Sequence, residues 1–444
     1  MFTLGSALAA GPCMTGAFCQ QHVAIGASNT LTISWVSTGA SASLQWGVSS
    51  ALPLPQTASA STETYTLHDL CEPNLVALRG WEEPGSQHHA TIDYGDATEL
   101  WYRVGDGTTW GNVTGPVRIP SRLTSFAVFG DMGTYEYAPK SNALGAVDAH
   151  VAAALERAAP TLDAVVHVGD LAYAHDGPAS RWRYWMEEIE TGGVGGQLAS
   201  VVPWMVGCGN HDCLYDNPHK PPWAGSILSA GEDGGQCGVP YNARFKMPGD
   251  PTQIDGWHES RNGTRNNLFY SFDVGSVHFV MLSSEHDLGD GSAQLAWLAA
   301  DLAAVDRSRR TPFVLVGLHR PVYTSTKLGI KLPETKGQQA ALEPLLLQHR
   351  VSAVFAGHYH QYERSCPIAR NACAVNGTVH VTAGIAGLQH HDDFASPAPS
   401  WAKVQVTDTF GYTRVTVVNA THMKVQAIDY VDDSAFDEFW LEAP

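Results

Sequence analysis

Five apolar runs of strand length, each closed by a glycine-led polar block, restrict the fold of this 444-residue chain more than any other feature. The runs are Phe126–Phe129, Ala164–Val168, Val201–Val206, Phe313–Val316 and Ser352–Phe355, and Val277–Leu282 is a sixth of the same texture. Largely apolar runs this short mark strands buried on both faces. Between them lie helical patterns: Leu144, Val147, Val151 and Leu155 on one face, then Ser292–Val305 and Gln338–Gln348. Buried strands alternating with helices make a layered α/β domain.

Up to about residue 121 the texture differs. Leu31, Ile33 and Trp35 alternate with Ser and Thr, as do Leu44, Trp46 and Val48, and then Leu100, Tyr102 and Val104. Period-2 alternation between turn residues predicts short antiparallel strands in a β-sandwich. At about 150 residues per domain the length fits two or three domains. The expected division is a sandwich over 1–121 and an α/β domain over 122–444, with Gly115 to Ser121 as linker. Three late alternating segments, Val404–Val406, Thr413–Val418 and Val425–Ile428, extend a sheet edge.

In open α/β sheets, ligands bind beyond the carboxyl ends of the strands. The residues there are Gly130-Asp131-Met132-Gly133, Gly169-Asp170-Leu171-Ala172-Tyr173, Gly209-Asn210-His211-Asp212, Gly317-Leu318-His319-Arg320 and Gly357-His358-Tyr359-His360. Gly-Asp alone is a turn signal, and the copies at 95, 105, 249 and 289 follow no long apolar strand, so they read as turns. The series at 130, 169, 209, 317 and 357 reads as one site. Carboxylate, phenolate and imidazole are hard ligands suited to a trivalent ion, while an Asn carbonyl with two imidazoles suits a divalent one. Two such ions clamp the attacking and leaving oxygens of an in-line displacement at phosphorus. Histidines without this context, including His390 and His391, read as structural.

Composition narrows the partner. The chain carries 26 Lys and Arg against 44 Asp and Glu, a formal charge of −18. That surplus excludes nucleic acid and an anionic membrane surface as general partners, and no apolar run reaches the length of a membrane span. A small phosphate ester is admitted only where the site supplies local positive charge.

The motifs GDMG, GDLAY, GNHD, GLH and GHYHQYER resemble those of the purple acid phosphatases, within the calcineurin-like metallophosphoesterases. The resemblance covers nearly the whole chain, and GGQCGVPYNARFKMPGD and TPFVLVGLHRPVY are similar to a plant and algal branch. It implies a fibronectin-III-like sandwich followed by an αββα metallophosphoesterase domain. It implies an Fe(III) site of Asp131, Tyr173, His360 and bridging Asp170. It also implies a site of Asp170, Asn210, His319 and His358 for one divalent metal: Zn, Mn or Fe. His211 is implied as the residue that bonds the phosphate and helps protonate the leaving oxygen, and Tyr173 as the source of a purple charge-transfer band. The implied reaction is hydrolysis of phosphate monoesters at acidic pH, a metal-bound hydroxide attacking phosphorus in line. One departure stands out: plant members carry an adjacent His pair beyond the GLH histidine, whereas Tyr323 to Gly329 contains none. Arg320 is a further candidate phosphate contact. The rival readings are a phosphodiesterase or nucleotide pyrophosphatase on the same scaffold and, further off, a catalytically inactive binding homologue.

The eight cysteines include no C-x-x-C, so zinc ribbons and thioredoxin-like motifs are excluded. Cys366 with Cys373, and Cys13 with Cys19, are candidate local pairs. Cys208, Cys213 and Cys237 share one region in odd number, so one pairs elsewhere, with Cys71 a candidate. Sequons at Asn112, Asn262, Asn376 and Asn419, together with the cysteines and the resemblance, point to a secreted or vesicular (vacuolar) protein. The oligomeric state is open, a homo-oligomer included.

Overall fold

The computed structural model describes residues 18–119, 124–134, 151–174, 178–193, 195–213, 235–249, 267–307, 311–387 and 390–443. Cys13, Leu144, Val147, Asn262 and the expected division at 121 lie outside the described residues.

Eight strands come first: β1 (Cys19–Ile25), β2 (Thr30–Ser37), β3 (Ser43–Gly47), β4 (Gln56–Ser59), β5 (Ser61–Glu63), β6 (Ser86–Asp93), β7 (Glu99–Gly105) and β8 (Thr114–Arg118). They form two four-stranded antiparallel sheets, ordered β1-β2-β6-β5 and β4-β3-β7-β8. The alternating residues Leu31, Ile33 and Trp35 of one sheet share a core with Leu44, Leu100, Tyr102 and Val104 of the other, which is what period-2 patterning dictates. Val48 lies beyond β3 and is exposed. The expected linker is corrected in its first half: residues 115–118 belong to β8, which pairs with β7. Two prolines suggested a connection, but an edge strand accommodates proline because one row of its N–H groups is unpaired.

The second part holds two further sheets. In the first, β9 (Ser125–Phe129), β10 (Ala164–Val168) and β11 (Trp204–Gly207) run parallel. The second comprises β12 (Tyr270–Val274), β13 (Val277–Met281), β14 (Phe313–Gly317), β15 (Ala353–Ala356), β16 (Tyr362–Ser365), β19 (Val379–Ala383) and β20 (Ala402–Val406). Its order is β12-β13-β14-β15-β19-β16-β20, with β13, β14, β15 and β19 parallel. A small hairpin, β17 (Ile368–Ala369) and β18 (Ala372–Cys373), stands apart. The chain ends with β21 (Gly411–Val417), β22 (His422–Asp429) and β23 (Ala435–Glu442), which complete the first sheet in the order β11-β10-β9-β21-β22-β23. Of the three late segments, the one at 404–406 joins the other sheet. Strand β23 is obscured in the sequence because an apolar residue, Trp440, stands on its exposed face between Phe439 and Leu441.

Side-chain parity shows how the layers stack. Phe279, Met281, Leu315 and Phe355 join the core shared with β9 and β10, whereas Val280, Val314, Val316 and Val354 join a second core. Phe126 meets Phe279 edge-on across the two sheets, centroids 6.2 Å apart. Helices α6 (Ala293–Ala304) and α7 (Pro333–Gln348) bring Leu298, Leu302, Leu342 and Leu346 to the outer core. On the opposite side, α2 (Val151–Ala158) and α3 (Ser180–Thr191) bring Leu155, Trp185 and Ile189 to the first sheet. Helix, sheet, sheet and helix therefore lie in succession. The remaining helices are α1 (Pro73–Gly80), α4 (Asn210–Cys213) and α5 (Val239–Arg244).

Disulfides join Cys71 to Cys237, Cys208 to Cys213 and Cys366 to Cys373. The first ties the early strands to the second part of the chain. Backbone bonds from Val23 to Ala199 and from Arg118 to Val201 do the same. No described helix is long and apolar enough to cross a membrane.

Candidate metal centre

The central strands of the two facing sheets end at one place. The loops after β9 and β10 are zipped together: Asp131 N–H donates to Gly169 O at 3.1 Å, and Gly133 N–H to Leu171 O at 2.9 Å. The loops after β14 and β15 are joined likewise, Gly357 N–H donating to His319 O at 2.9 Å. Gly130 N–H donates to Ala383 O, which stitches the first sheet to the second. Each polar block is thus carried to a common rim by its strand. Asp131, Asp170, Tyr173 and His358 have φ of 64°, 54°, 51° and 69°. Side chains with a Cβ resist this left-handed region, and such residues gather where a site demands a particular direction.

The side chains converge in two groups about one carboxylate. Tyr173 Oη lies 3.2 Å from Asp131 Oδ1 and 3.1 Å from His360 Nε2, and that Nε2 is 3.4 Å from Asp131 Oδ1. Asn210 Oδ1 lies 3.1 Å from His319 Nε2 and 3.0 Å from His358 Nδ1. Asp170 Oδ2 is 3.2 Å from His319 Nε2, and its charge also acts on Tyr173. All seven residues expected as ligands are brought together. His211 stands over them, its ring 4.5 Å from that of Tyr173 and its side chain 19% exposed.

Backbone groups orient the set. His319 Nδ1 faces Val168 O at 3.1 Å, so it carries the proton and leaves Nε2 as the donor atom. Asp131 accepts the His358 N–H at 2.8 Å, and Asp170 accepts the His211 N–H at 2.9 Å.

The electrostatics call for a cation. Asp131 and Asp170 are buried, and among the described residues their ion-pair partners are histidines alone. Burial opposes the Asp170 charge, yet His319 and His211 hold its carboxyl well below the usual carboxylate range. Burial lowers His319, but the Asp170 charge and hydrogen bond outweigh it and raise the imidazole to about 9. Burial pushes the Tyr173 phenol well above its ordinary range, and Asp170 and Asp131 add to this. A metal cation reverses the last two tendencies, since it favours phenolate and neutral imidazole, and it keeps the Asp170 carboxylate ionised. His358 already favours the neutral form through burial, Arg320 and His319. The donor set therefore fits two cations sharing Asp170.

Further residues join the centre through contacts between loops. Arg320 Nε donates to Glu285 Oε1 at 2.9 Å, and Arg320 Nη1 lies 3.1 Å from His358 Nε2. These contacts turn the guanidinium towards holding His358. Asp212 accepts the Leu171 N–H and the Gly209 N–H, each at 3.0 Å, and so fastens the second block to the third. Burial, then Asp170, raise its carboxyl to about 8. His391, expected to be structural, lies beside the centre: its ring stacks on His360 with centroids 4.2 Å apart. A lone Asp, Glu or His has no periodicity to betray it. Cys208, Cys213 and His286 also cluster, but the two sulfurs are bonded to each other.

Residues 124–362 match the family model of the calcineurin-like phosphoesterases, and residues 377–438 match one described as iron/zinc purple acid phosphatase-like protein C. The chain is 32% identical over 402 residues to a protein of Arabidopsis thaliana named probable inactive purple acid phosphatase 9, covering 84% of this chain and 59% of that one. It is 32% identical over 367 residues to purple acid phosphatase 18 of the same plant, covering 81% and 72%. The chain spans about three fifths of the length of the first curated relatives it matches. Among solved structures, purple acid phosphatase PPD1 from yellow lupin (Lupinus luteus) seeds superposes with a TM-score of 0.79 at 25% identity, covering 96% of this chain and 74% of that one.

Proposed function

The chain belongs to the calcineurin-like phosphoesterases, in their purple acid phosphatase branch, and on that premise we propose that it hydrolyses phosphate monoesters at acidic pH. The cofactor is one Fe(III) with one divalent ion: zinc, manganese or iron. The observation that carries the reading is the convergence of seven donor residues from five strand ends around two buried carboxylates that no lysine or arginine neutralises among the described residues.

Asp131, Tyr173 and His360 would hold Fe(III), Asn210, His319 and His358 would hold the divalent ion, and Asp170 would serve both. When bound, the pair supplies Lewis acidity, which neutralises phosphate charge and makes water nucleophilic at low pH. The protein's own groups do the rest. The His319 Nδ1 bond to Val168 O aims Nε2 at Asn210 and Asp170. Arg320, anchored by Glu285, steadies His358, and any phosphate contact it makes comes in addition. His211, which reaches solvent above Tyr173, donates a proton to the leaving oxygen as general acid.

Metal analysis with a visible spectrum tests the centre, and p-nitrophenyl phosphate against its bis-ester tests the substrate. The expected result is one iron and one divalent ion per chain, a visible band, and faster turnover of the monoester. Faster turnover of the bis-ester favours a phosphodiesterase. A second reading follows from the word inactive in the names of four relatives in Arabidopsis thaliana. A fully metallated protein that turns over neither ester supports it, whereas the complete donor set argues for activity. A secreted or vesicular location belongs to the same proposal: Asn112, Asn376 and Asn419 are exposed, so glycosidase treatment of the native protein is expected to shift its mobility.

A further inference from the structure

His391 has no part in the reading above, yet its surroundings are those of a functional group. Its imidazole lies nearly parallel to that of His360, the planes 15° apart. Two bonds pin it there. His391 N–H donates to His360 O at 3.0 Å, and His360 N–H donates to His391 Nδ1 at 3.3 Å. Accepting that second bond decides the tautomer: Nδ1 carries the lone pair, so the hydrogen sits on Nε2. His391 is an exposed residue, so the Nε2–H can meet a ligand from solvent. The neighbouring His390 differs, its ring packing on Phe410 with centroids 3.8 Å apart.

The loop that carries His391 is anchored independently of His360. Lys327 N–H donates to Asp393 O, and Ala395 N–H to Ser325 O, each at 2.8 Å. Thr326 and Phe394 form a bridge between these bonds. The loop is therefore fastened to the segment after His319 that contains no histidine of its own. A single ring with an available N–H donor, held on two sides and stacked on an expected iron ligand, is built to meet an anion at that ligand.

We propose that His391 is a substrate-contacting residue, its Nε2–H donating to an oxygen of the phosphate ester on the His360 side of the centre. This rests on the phosphoester reading of the site. Together with His211, it flanks the Asp131, Tyr173 and His360 group with two imidazole donors.

The test compares metal-loaded wild type with His391→Phe, which keeps a stacking ring but removes the donor, and His391→Gln, which restores an N–H. Iron content, the visible band, inorganic phosphate binding by equilibrium dialysis, and kcat/KM are read together. Losing one hydrogen bond to a charged oxygen corresponds to about a ten- to hundredfold effect. His391→Phe is expected to keep iron and band while phosphate affinity and kcat/KM fall by about that factor, with partial recovery in His391→Gln. If His391→Phe does not fold, His391→Ala makes the same comparison. Unchanged phosphate affinity with intact metal overturns the proposal. Loss of iron or a shifted band also overturns it, because His391 then acts only by holding His360. Wild type that binds phosphate without turnover overturns the hydrolytic reading alone, and the affinities still decide the role of His391. Wild type that binds no phosphate overturns both.

Discussion

Asp131, Asp170, Tyr173 and His358 hold a backbone conformation that costs about 1–2 kcal/mol per residue. The cost is met by the zipped loops and by carboxylates that accept neighbouring N–H groups. Each side chain is therefore held in direction before any ligand arrives. Tyr173→Phe keeps the ring and removes one donor oxygen, so the visible band is expected to vanish and iron content to fall. An unmoved spectrum would take Tyr173 out of the site. His211 acts differently, because it stands above the donors. His211→Ala is expected to retain both metals and lose about 10²-fold or more in kcat, and loss of metal instead would make it a ligand. The four glycine-led blocks that begin Asp, Asn or His are legible in the sequence because each begins within two residues of the end of its strand. Glu285 and His391 are not, since each reaches the centre through a contact between loops, and the part Asp212 plays within its quoted block likewise shows only in such a contact.

The turn after β11 shows the same logic in one element. Residues 209–213 carry Asn210 and His211, are closed by the Cys208–Cys213 disulfide, and are bonded to the second block through Asp212. At Gly209 a Cβ would stand 2.1 Å from Asp170 Oδ1 and 2.6 Å from Asp170 N. Backbone at that distance cannot yield, so Gly209→Ala is expected to displace the shared carboxylate and release metal. Metal stoichiometry and kcat/KM check this, and full occupancy with wild-type turnover would contradict it. The sequence shows this glycine as part of a motif, but the reason for it is the packing of one loop on another.

At the scale of the whole molecule, buried titratable groups predict how stability varies with pH. Burial lowers His22 to about 4, and His167 and His380 to about 3. Their neutral forms are favoured by folding, so this contribution is present above about 6.5 and fades as pH falls through those values. Burial raises Glu190 and Glu363 to about 7, a contribution present below about 4.5 and lost as pH rises through 7. Burial opposes the His278 charge, but Asp273 and Asp301, each 2.9 Å away, raise it to about 9. Its contribution is present below about 6.5 and lost as pH rises through 9. Both flanks decline, so a maximum between about pH 5 and 6.5 is expected. Urea midpoints at about pH 4, 6 and 9 measure it, and a steady climb to the alkaline end would refute it. An acid-side maximum suits a protein whose formal charge at pH 7 is −18 and whose 20 histidines gain charge as pH falls.

The sequence by itself determined the layered α/β plan, the early sandwich and the chemical type of the centre. Those features are written locally, as periodicity within a strand and as the few residues that leave its carboxyl end. Tertiary structure alone decided that residues 115–118 form an edge strand and that the chain ends in β23. It also decided that Arg320 is held by Glu285, and that one histidine of an adjacent pair meets the site while the other packs on Phe410. These outcomes depend on which strands become neighbours and how their loops meet. Residues about 30 to 40 positions apart carry no mark in a linear pattern of the contact that sheet order creates.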